Sequence, residues 1–154
     1  MNEIVKKIKD FFEKNEWNYL FDEKKSVFNF GLNMGGTLGS LDFYIVVKED
    51  SYTVYAILNN KAELDKINQV AEYLHRANYG LRVGNFELDY DDGEIRYKTY
   101  IDADFTEITD KTIMMSIFIP GDMFNKYGKG LLEVMLGEAN PKELIDKIEN
   151  QKDK

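Results

Sequence analysis

The sequence predicts an α+β domain in which an antiparallel sheet packs against helices from both ends of the chain. Apolar residues recur with a helical period near the start, with a period of two over residues 27–58, and with a helical period again from residue 63. Short polar turns separate consecutive strands, which is the arrangement that antiparallel pairing allows. The chain of 154 residues has no repeat or linker, so we expect a single domain over residues 1–154.

The first helix is predicted over residues 2–15, where the apolar side chains share one face. Three strands follow, over residues 27–34, 41–47 and 52–58, and short connections make them an antiparallel meander. Residues 17–21 are expected to form a first, bent part of the first strand. The second face of this meander presents four apolar or aromatic side chains: Tyr44, Val46, Tyr55 and Ile57.

The second helix is predicted from Glu63 to about residue 80, where glycine permits a left-handed end. A hairpin follows it. With Asp92 and Gly93 as a two-residue turn, Glu87 faces Lys98 and a charge-paired face opposes an apolar one. A slip by one residue would mix the two faces, so the pattern favours a loop of even length.

The last third of the chain is predicted to be helical. Apolar residues from 113 to 135 stay in one helical phase, and we expect a break at Pro120 because proline has no amide hydrogen to donate. Gly137 is expected to stop this helix. Asn140 and Pro141 are typical of a cap and first position, so a final helix begins there, followed by a frayed tail over residues 150–154.

Composition excludes several classes of site. The chain has no cysteine, which removes disulfides, thiolate metal sites and cysteine nucleophiles. A formal net charge of −8, with no concentrated basic patch, argues against nucleic acid and anionic membranes as partners. Neither a signal peptide nor a run of about 18 apolar residues is recognised, so we expect a cytoplasmic protein.

Three motifs could carry chemistry, and each is better explained by structure. The acidic stretch 87–94 does not fit a helix–loop–helix calcium loop, which needs glycine at its sixth position and glutamate at its twelfth, because a loop that starts at Glu87 has Asp92 and Lys98 there. The glycine-rich segment 35–40 lacks the lysine of a phosphate-binding loop. His75 is the only histidine and has no motif for a zinc site or a catalytic triad around it. We therefore predict no catalytic residue, no metal site, no cofactor and no enzyme activity.

The aromatic content indicates an interface instead. Ten tyrosines and ten phenylalanines exceed what a core of this size needs, and tyrosine suits a surface that a partner covers. Either the C-terminal helices cover the second face of the meander or that face is a docking surface. The candidate residues for a partner or dimer interface are Tyr73, His75 and Tyr79 on the second helix, and Tyr44 and Tyr55 on the meander.

The order of elements and two motifs resemble the YbjN-type family of bacterial sensory transduction regulators. The motifs are residues 71–80, reading AEYLHRANYG, and residues 83–89, reading VGNFELD, followed by the hairpin segment 92–98. This family is similar in fold to the type III secretion chaperones, compact α+β proteins that commonly dimerise and bind protein segments. The resemblance implies a binding or regulatory module. In such a fold an unbroken helix is expected where Pro120 lies.

Three hypotheses about function follow. The first is a homodimeric regulatory or chaperone-like module that binds a protein partner. The second is a small-molecule sensor with a pocket between the sheet and the C-terminal helices and the loop at residues 35–39 as its lid. The third, an acid-dependent hydrolase, requires a pair of buried carboxylates.

Overall fold

The computed structural model describes residues 2–150 and confirms the predicted α+β class. Its elements, in chain order, are α1 (Glu3–Lys14), β1 (Leu20–Asp22), β2 (Val27–Gly35), β3 (Gly39–Val47), β4 (Ser51–Leu58), α2 (Ile67–Asn78), β5 (Asn85–Leu88), β6 (Ile95–Asp102), α3 (Asp110–Leu136) and α4 (Pro141–Glu149). The strands form an antiparallel sheet in the order β1-β2-β3-β4-β6-β5. The predicted tail residues 151–154 lie outside this description.

The helices pack on one face of the sheet. Phe12 of α1 contacts Phe28 edge-to-face with ring centroids 5.6 Å apart, and Ser116 of α3 is hydrogen-bonded to Tyr52 of β4. Phe86 of β5 packs against Phe124 of α3. These side chains alternate along their strands with partly exposed ones, because successive side chains point to opposite faces. Within residues 2–150 no helix combines the length and apolarity that crossing a bilayer demands.

Helix α3 runs without interruption through Pro120, so the predicted break is wrong. A proline at this position leaves the carbonyl of Ser116, four residues earlier, without its usual amide donor. The hydroxyl of Thr99 on β6 donates to that carbonyl at 2.7 Å. The sheet therefore supplies the hydrogen bond that the helix lacks. The structure thus has the unbroken helix that the family resemblance implies.

The meander differs from the prediction at its start. Leu20–Asp22 is a strand of its own, β1, that pairs with β2 in the register Phe21 to Phe28. The chain reverses at Ser26, which has a positive φ of 55°. The sheet consequently gains an edge strand that hydrophobic alternation alone did not separate from β2.

The hairpin β5–β6 has the predicted faces but a different register. Glu87 lies opposite Arg96 rather than Lys98, which is a shift of two residues. Because side chains alternate, a shift of two keeps every side chain on its face. The loop is longer than the predicted two residues: Asp89 and Glu94 join across it by a backbone hydrogen bond of 2.9 Å. Its tip docks on Ala62, whose amide donates to the carbonyl of Gly93 at 2.8 Å.

The predicted helix ends are largely confirmed. The Asn2 side chain accepts from the amide of Ile4 and caps α1, and that of Asn140 accepts from Glu143 and caps α4. Gly137 ends α3. The α2 segment begins as a short 3₁₀ turn, and Leu64 within it is 64% exposed instead of facing the core as predicted.

Candidate functional site

The sheet face opposite the helices is the candidate site, and we call it the open face. Its ten central side chains are all half-buried: none is fully exposed and none lies in the core. They are Val27, Asn29, Asp42, Tyr44, Val46, Thr53, Tyr55, Ile57, Arg96 and Lys98. The open face exists because α1, α2 and α3 all attach to the other side of the sheet, and α4 packs on α2 and α3. The alternative in which the C-terminal helices cover this face is therefore wrong for residues 2–150.

A groove of about 520 Å³ runs over the centre of the open face. Its floor is formed by Tyr44, Val46, Tyr55 and Ile57 from the two central strands. The hairpin β1–β2 forms one wall and contributes Leu20, which is 72% exposed. The lining is mainly apolar, so a bound segment would remove apolar surface from water.

Strand register aligns the aromatic side chains across the groove. Tyr44 pairs with Tyr55, and on either side they meet Asn29 and Lys98 in one continuous row. Side chains in such a row are close neighbours on the same face. The row therefore has an aromatic centre with a polar group at each end.

A charged cluster forms the rim over β6. Glu87 accepts from Arg96 at 2.8 Å and from Lys98 at 3.2 Å. Partial burial acts to raise the pKa of Glu87, but the bonds from Lys98 and Arg96 outweigh it and lower that pKa. The guanidinium of Arg96 also lies 4.2 Å from the centre of the Tyr55 ring. These contacts fix the orientation of Arg96 at the groove edge.

A second polar group lies over β3. The side-chain amide of Asn29 donates to Asp42 at 2.8 Å and to the carbonyl of Phe43 at 3.0 Å. The Asp42 carboxylate raises the pKa of the neighbouring Tyr44 hydroxyl, and partial burial and Glu94 add to that increase. Asn29 therefore holds a carboxylate in place beside the aromatic row.

The predicted interface residues separate into three places. Tyr44 and Tyr55 lie together on the open face. His75 and Tyr79 are exposed at the end of α2, with Tyr79 at 90%. Tyr73 does not belong to a surface: it is fully buried, and its hydroxyl donates to the carbonyl of Tyr127 at 2.6 Å. It lies three residues after Val70 and four before Ala77, so helical spacing alone places it on the buried face of α2, and its assignment to the surface was wrong.

Sequence reasoning missed Asn29, Asp42 and Arg96 as parts of this site. The alternation of β2, β3 and β6 does place each of them on the face opposite the core. The missing information was the strand order, since β6 inserts between β4 and β5 and brings Arg96 to Tyr55. No local pattern specifies that neighbour.

The other candidate motifs have structural roles. In the acidic hairpin loop, Asp89 accepts from the amide of Asp91 and Asp92 accepts from that of Glu94, which are turn contacts. In the described part of the chain, no three His, Cys, Asp or Glu side chains are placed to hold a metal ion. Every Asp and Glu between residues 2 and 150 is at least partly exposed, so the buried pair that the hydrolase hypothesis requires is not there.

The family motif around Asn78 builds the outer strand of the sheet. The Asn78 side chain accepts from the amide of Phe86 at 2.7 Å and donates to its carbonyl at 2.9 Å. Gly84 has a positive φ of 74°, and a Cβ there would overlap the carbonyl of Lys98. These contacts cover the backbone of edge strand β5 at Phe86.

Packed side chains fill the space where the sensor pocket was predicted. Phe86 contacts Tyr97, Phe124 and Tyr127 edge-to-face at 4.8–5.9 Å between centroids. The predicted lid is a 3₁₀ turn whose Leu38 lies against Gly128 of α3, where a Cβ would come within 2.7 Å of it. At these residues there is no room for a ligand, but a cavity of about 540 Å³ lies beside the turn and is lined by Thr37, Leu132 and Leu136, so the sensor pocket stays a prediction.

Three solved structures share this fold at low sequence identity. YbjN from E. coli matches with a TM-score of 0.56 and 9% identity, covering 85% of this chain and 88% of that one. The ExsC–ExsE complex matches with a TM-score of 0.55 and 12% identity, covering 84% and 93%. An uncharacterized protein from Methanothermobacter thermautotrophicus matches at 0.53 and 14%, covering 83% and 96%. The predicted likeness in fold to a type III secretion chaperone, ExsC, is confirmed.

The sequence matches a family model as well. Residues 5–133 match the model of YbjN, described as "Putative bacterial sensory transduction regulator". No curated protein sequence gives a significant match. Because the matched segment spans most of the chain, the protein belongs to the YbjN family, as its motifs predicted.

Proposed function

We propose that this member of the YbjN family is a regulatory module whose open face binds a segment of another protein. The observation that carries the proposal is the uncovered groove over Tyr44, Val46, Tyr55 and Ile57. These side chains keep part of their apolar surface in water, although the same two strands, β3 and β4, bury the side chains of their other face. A partner that covers them gains the favourable free energy of removing that surface from solvent.

The residue types suit repeated binding and release. Tyrosine offers a large apolar ring with a hydroxyl that stays hydrated when the surface is free. Arg96 stands at the rim, already ordered by Glu87 and by the Tyr55 ring. A side chain that is ordered before binding loses less conformational entropy on association. The fold likeness to a protein solved as the ExsC–ExsE complex is consistent with a protein partner.

Self-association is a separate part of the proposal. The predicted homodimer interface at the end of α2 retains two exposed residues, His75 and Tyr79. The homodimer and the cytoplasmic location both stay predictions.

The test compares two charge insertions of the same kind. Val46→Asp places a carboxylate in the groove, and Val83→Asp places one on an exposed site away from the open face. Partners are captured from lysate of the source cells with the wild-type protein and both variants, then purified and titrated calorimetrically. We expect a partner whose affinity falls at least about tenfold with Val46→Asp and stays unchanged with Val83→Asp.

Photocrosslinking from two positions, one on the open face and one elsewhere, locates the bound partner without relying on the two aspartate variants. A photoreactive phenylalanine at Tyr55 should attach to that partner, whereas one at Met115, on the exposed side of α3, should not. Circular dichroism confirms that each variant is folded. Equal binding by Val46→Asp and the wild type, with no crosslink from position 55, would contradict the proposal.

A further inference from the structure

Two carboxylates, those of Asp42 and Glu94, lie on the open face beside the groove rather than in its lining. Asp42 lies on β3 and Glu94 lies one residue before β6, and both share the face of Tyr44. Within residues 2–150 neither carboxylate forms an ion pair with Lys, Arg or His. Asn29 holds Asp42 by a hydrogen bond, but a neutral amide leaves its charge in place.

The cationic side chains of the open face, unlike these two carboxylates, already form ion pairs within the protein. Arg96 and Lys98 both bind Glu87, and Arg96 also lies over Tyr55. A partner carboxylate at this rim would have to compete with Glu87 for them. At the opposite end of the groove, Asp22 and Lys25 contribute one charge of each sign. The free charges that a partner meets without competition are therefore those of Asp42 and Glu94.

The chain as a whole favours the same sign of partner. Its formal net charge of −8 attracts cations over a distance of about one Debye length. Close to the surface, a cation beside Tyr44 would also meet the electron-rich face of an aromatic ring. Carboxylate, aromatic ring and apolar floor together suit a side chain with an apolar stem and a positive end, which describes lysine and arginine.

We propose that the segment bound by the open face is basic as well as apolar, with a lysine or arginine side chain placed beside Tyr44 between Asp42 and Glu94 while neighbouring apolar side chains occupy the groove. This inference rests on the proposed function of the open face. It specifies the chemistry of the partner: an exposed protein segment in which basic residues alternate with apolar ones.

The test uses defined peptides and the full chain. Two sets of fluorescent 12-residue peptides share the same apolar positions, occupied by Leu, Val or Tyr, and differ only in having Lys or Glu at the remaining positions. Binding is measured by anisotropy at low and at physiological salt. The proteins are the wild type, Asp42→Asn, the double variant Asp42→Asn/Glu94→Gln, and Val46→Asn, which makes the groove floor polar without adding a charge. Asp122→Asn, on the exposed side of α3, is the matched control because it removes the same charge elsewhere.

We expect the lysine peptides to bind and the glutamate peptides to bind at least tenfold more weakly. Asp42→Asn should weaken the lysine peptides roughly threefold to fivefold, which is typical of one partly exposed ion pair, and the double variant more. Asp122→Asn should leave affinity unchanged, which separates a local contact from general attraction to an acidic protein.

The outcomes separate this inference from the proposed function. If peptides bind and Val46→Asn weakens binding, but lysine and glutamate sets bind equally, the open face is a docking site and the basic partner is wrong. Loss of the same size in Asp42→Asn and Asp122→Asn would also overturn it. If neither set binds to any protein, both the inference and the peptide-binding function fail.

Discussion

The hydroxyl of Thr99 donates a hydrogen bond of 2.7 Å to the carbonyl oxygen of Ser116. This carbonyl is the one that Pro120 cannot satisfy, since an α-helical amide donates to the residue four positions earlier. Both residues are buried, at 1% and 2% exposure. The Ser116 side chain adds two further bonds, to the carbonyl of Ile113 and to the Tyr52 hydroxyl. A proline in mid-helix is thus compatible with α3 because the sheet brings a donor to it.

The first prediction follows from this bond. Thr99→Val keeps the shape of the side chain but removes the donor, so the Ser116 carbonyl is left buried and unsatisfied. We expect the free energy of unfolding to fall by about 1–3 kcal/mol. Thr53→Val on the open face is the matched control, and it should change stability by less than about 0.5 kcal/mol. Urea unfolding at neutral pH measures both.

A second substitution tests the assignment to Pro120. Pro120→Ala restores an amide that can donate to Ser116, and alanine favours the helix interior. In the Thr99→Val background it should therefore recover most of the lost stability. A double-mutant cycle measures this coupling. Strictly additive effects of the two substitutions would show that Thr99 does not compensate for the proline.

The second prediction concerns alkaline pH. Burial raises the pKa of Tyr52 and of Tyr97 to about 12, and it also raises the pKa of Tyr73 and of Tyr127. In the unfolded chain tyrosine ionises near pH 10, so between pH 10 and 12 the unfolded state loses these protons first. Stability should be complete below about pH 10 and fall above it, by up to about 1.4 kcal/mol per pH unit for each such tyrosine.

Tyr52→Phe tests this contribution because it removes one of these groups. Its free energy of unfolding should decline less steeply than that of the wild type between pH 10 and 11.5. Urea titrations at each pH give both slopes. Identical slopes would mean that Tyr52 ionises equally well in the folded and unfolded states.

The third prediction contrasts two glycines that both have a positive φ. Gly93 and Gly35 have φ of 80° and 73°, so alanine is strained at either position. At Gly93 a Cβ would also overlap the carbonyl oxygen of Ala62, whereas at Gly35 nothing lies within 4 Å. We expect Gly93→Ala to cost about 3 kcal/mol and Gly35→Ala about 1 kcal/mol in thermal or urea unfolding. Equal costs would show that the hairpin loop can move away from Ala62.

The fourth prediction concerns the edge of the sheet. Asn78→Ala removes both side-chain bonds to the backbone of Phe86. We expect a loss of about 1–2 kcal/mol and faster hydrogen exchange at the Phe86 amide, measured by NMR. Asn125→Ala, at an exposed position of α3, is the control and should change neither. An unchanged exchange rate at Phe86 would show that Asn78 does not protect this strand.

The elements predicted correctly are those that local chemistry determines. Alternation identified β2, β3 and β4, and Asn140 caps the last helix as expected, whereas the cap at Asn2 was not predicted. The errors concern contacts between distant segments. Thr99 and Pro120 are far apart in the chain, so no local pattern shows that the helix continues through the proline.

The candidate site was likewise predicted where it depends on local periodicity and missed where it depends on contacts between distant segments. The sequence predicted that Tyr44 and Tyr55 share a face, because both follow from strand periodicity. The sequence could not show whether a helix covers these two side chains, because that depends on which face of the sheet the helices pack against. Arg96 joins the site only through the placement of β6 beside β4. Tyr73 was assigned to the surface because its hydroxyl was taken as a sign of exposure, although its spacing from Val70 and Ala77 places it on the buried stripe of α2.

The last prediction separates fold from self-association on α2. Tyr73 is fully buried against α3, and Gly130 lies so close that a Cβ there would be 2.5 Å from its hydroxyl. Tyr73→Glu therefore puts an unpaired carboxylate in the core and should cost about 4 kcal/mol or more, enough to unfold a domain of ordinary stability. Tyr73→Phe loses one hydrogen bond and should cost about 1 kcal/mol.

Tyr79→Glu is the informative substitution for an interface, because Tyr79 is 90% exposed and the fold does not depend on it. Its free energy of unfolding should stay within about 0.5 kcal/mol of the wild type. If the end of α2 forms a homodimer interface, sedimentation velocity should show a dimer for the wild type and a monomer for Tyr79→Glu, since a symmetric interface acquires the added charge twice. A dimer that persists with Tyr79→Glu, or dissociates only with Val46→Asp, would move the interface from α2 to the open face.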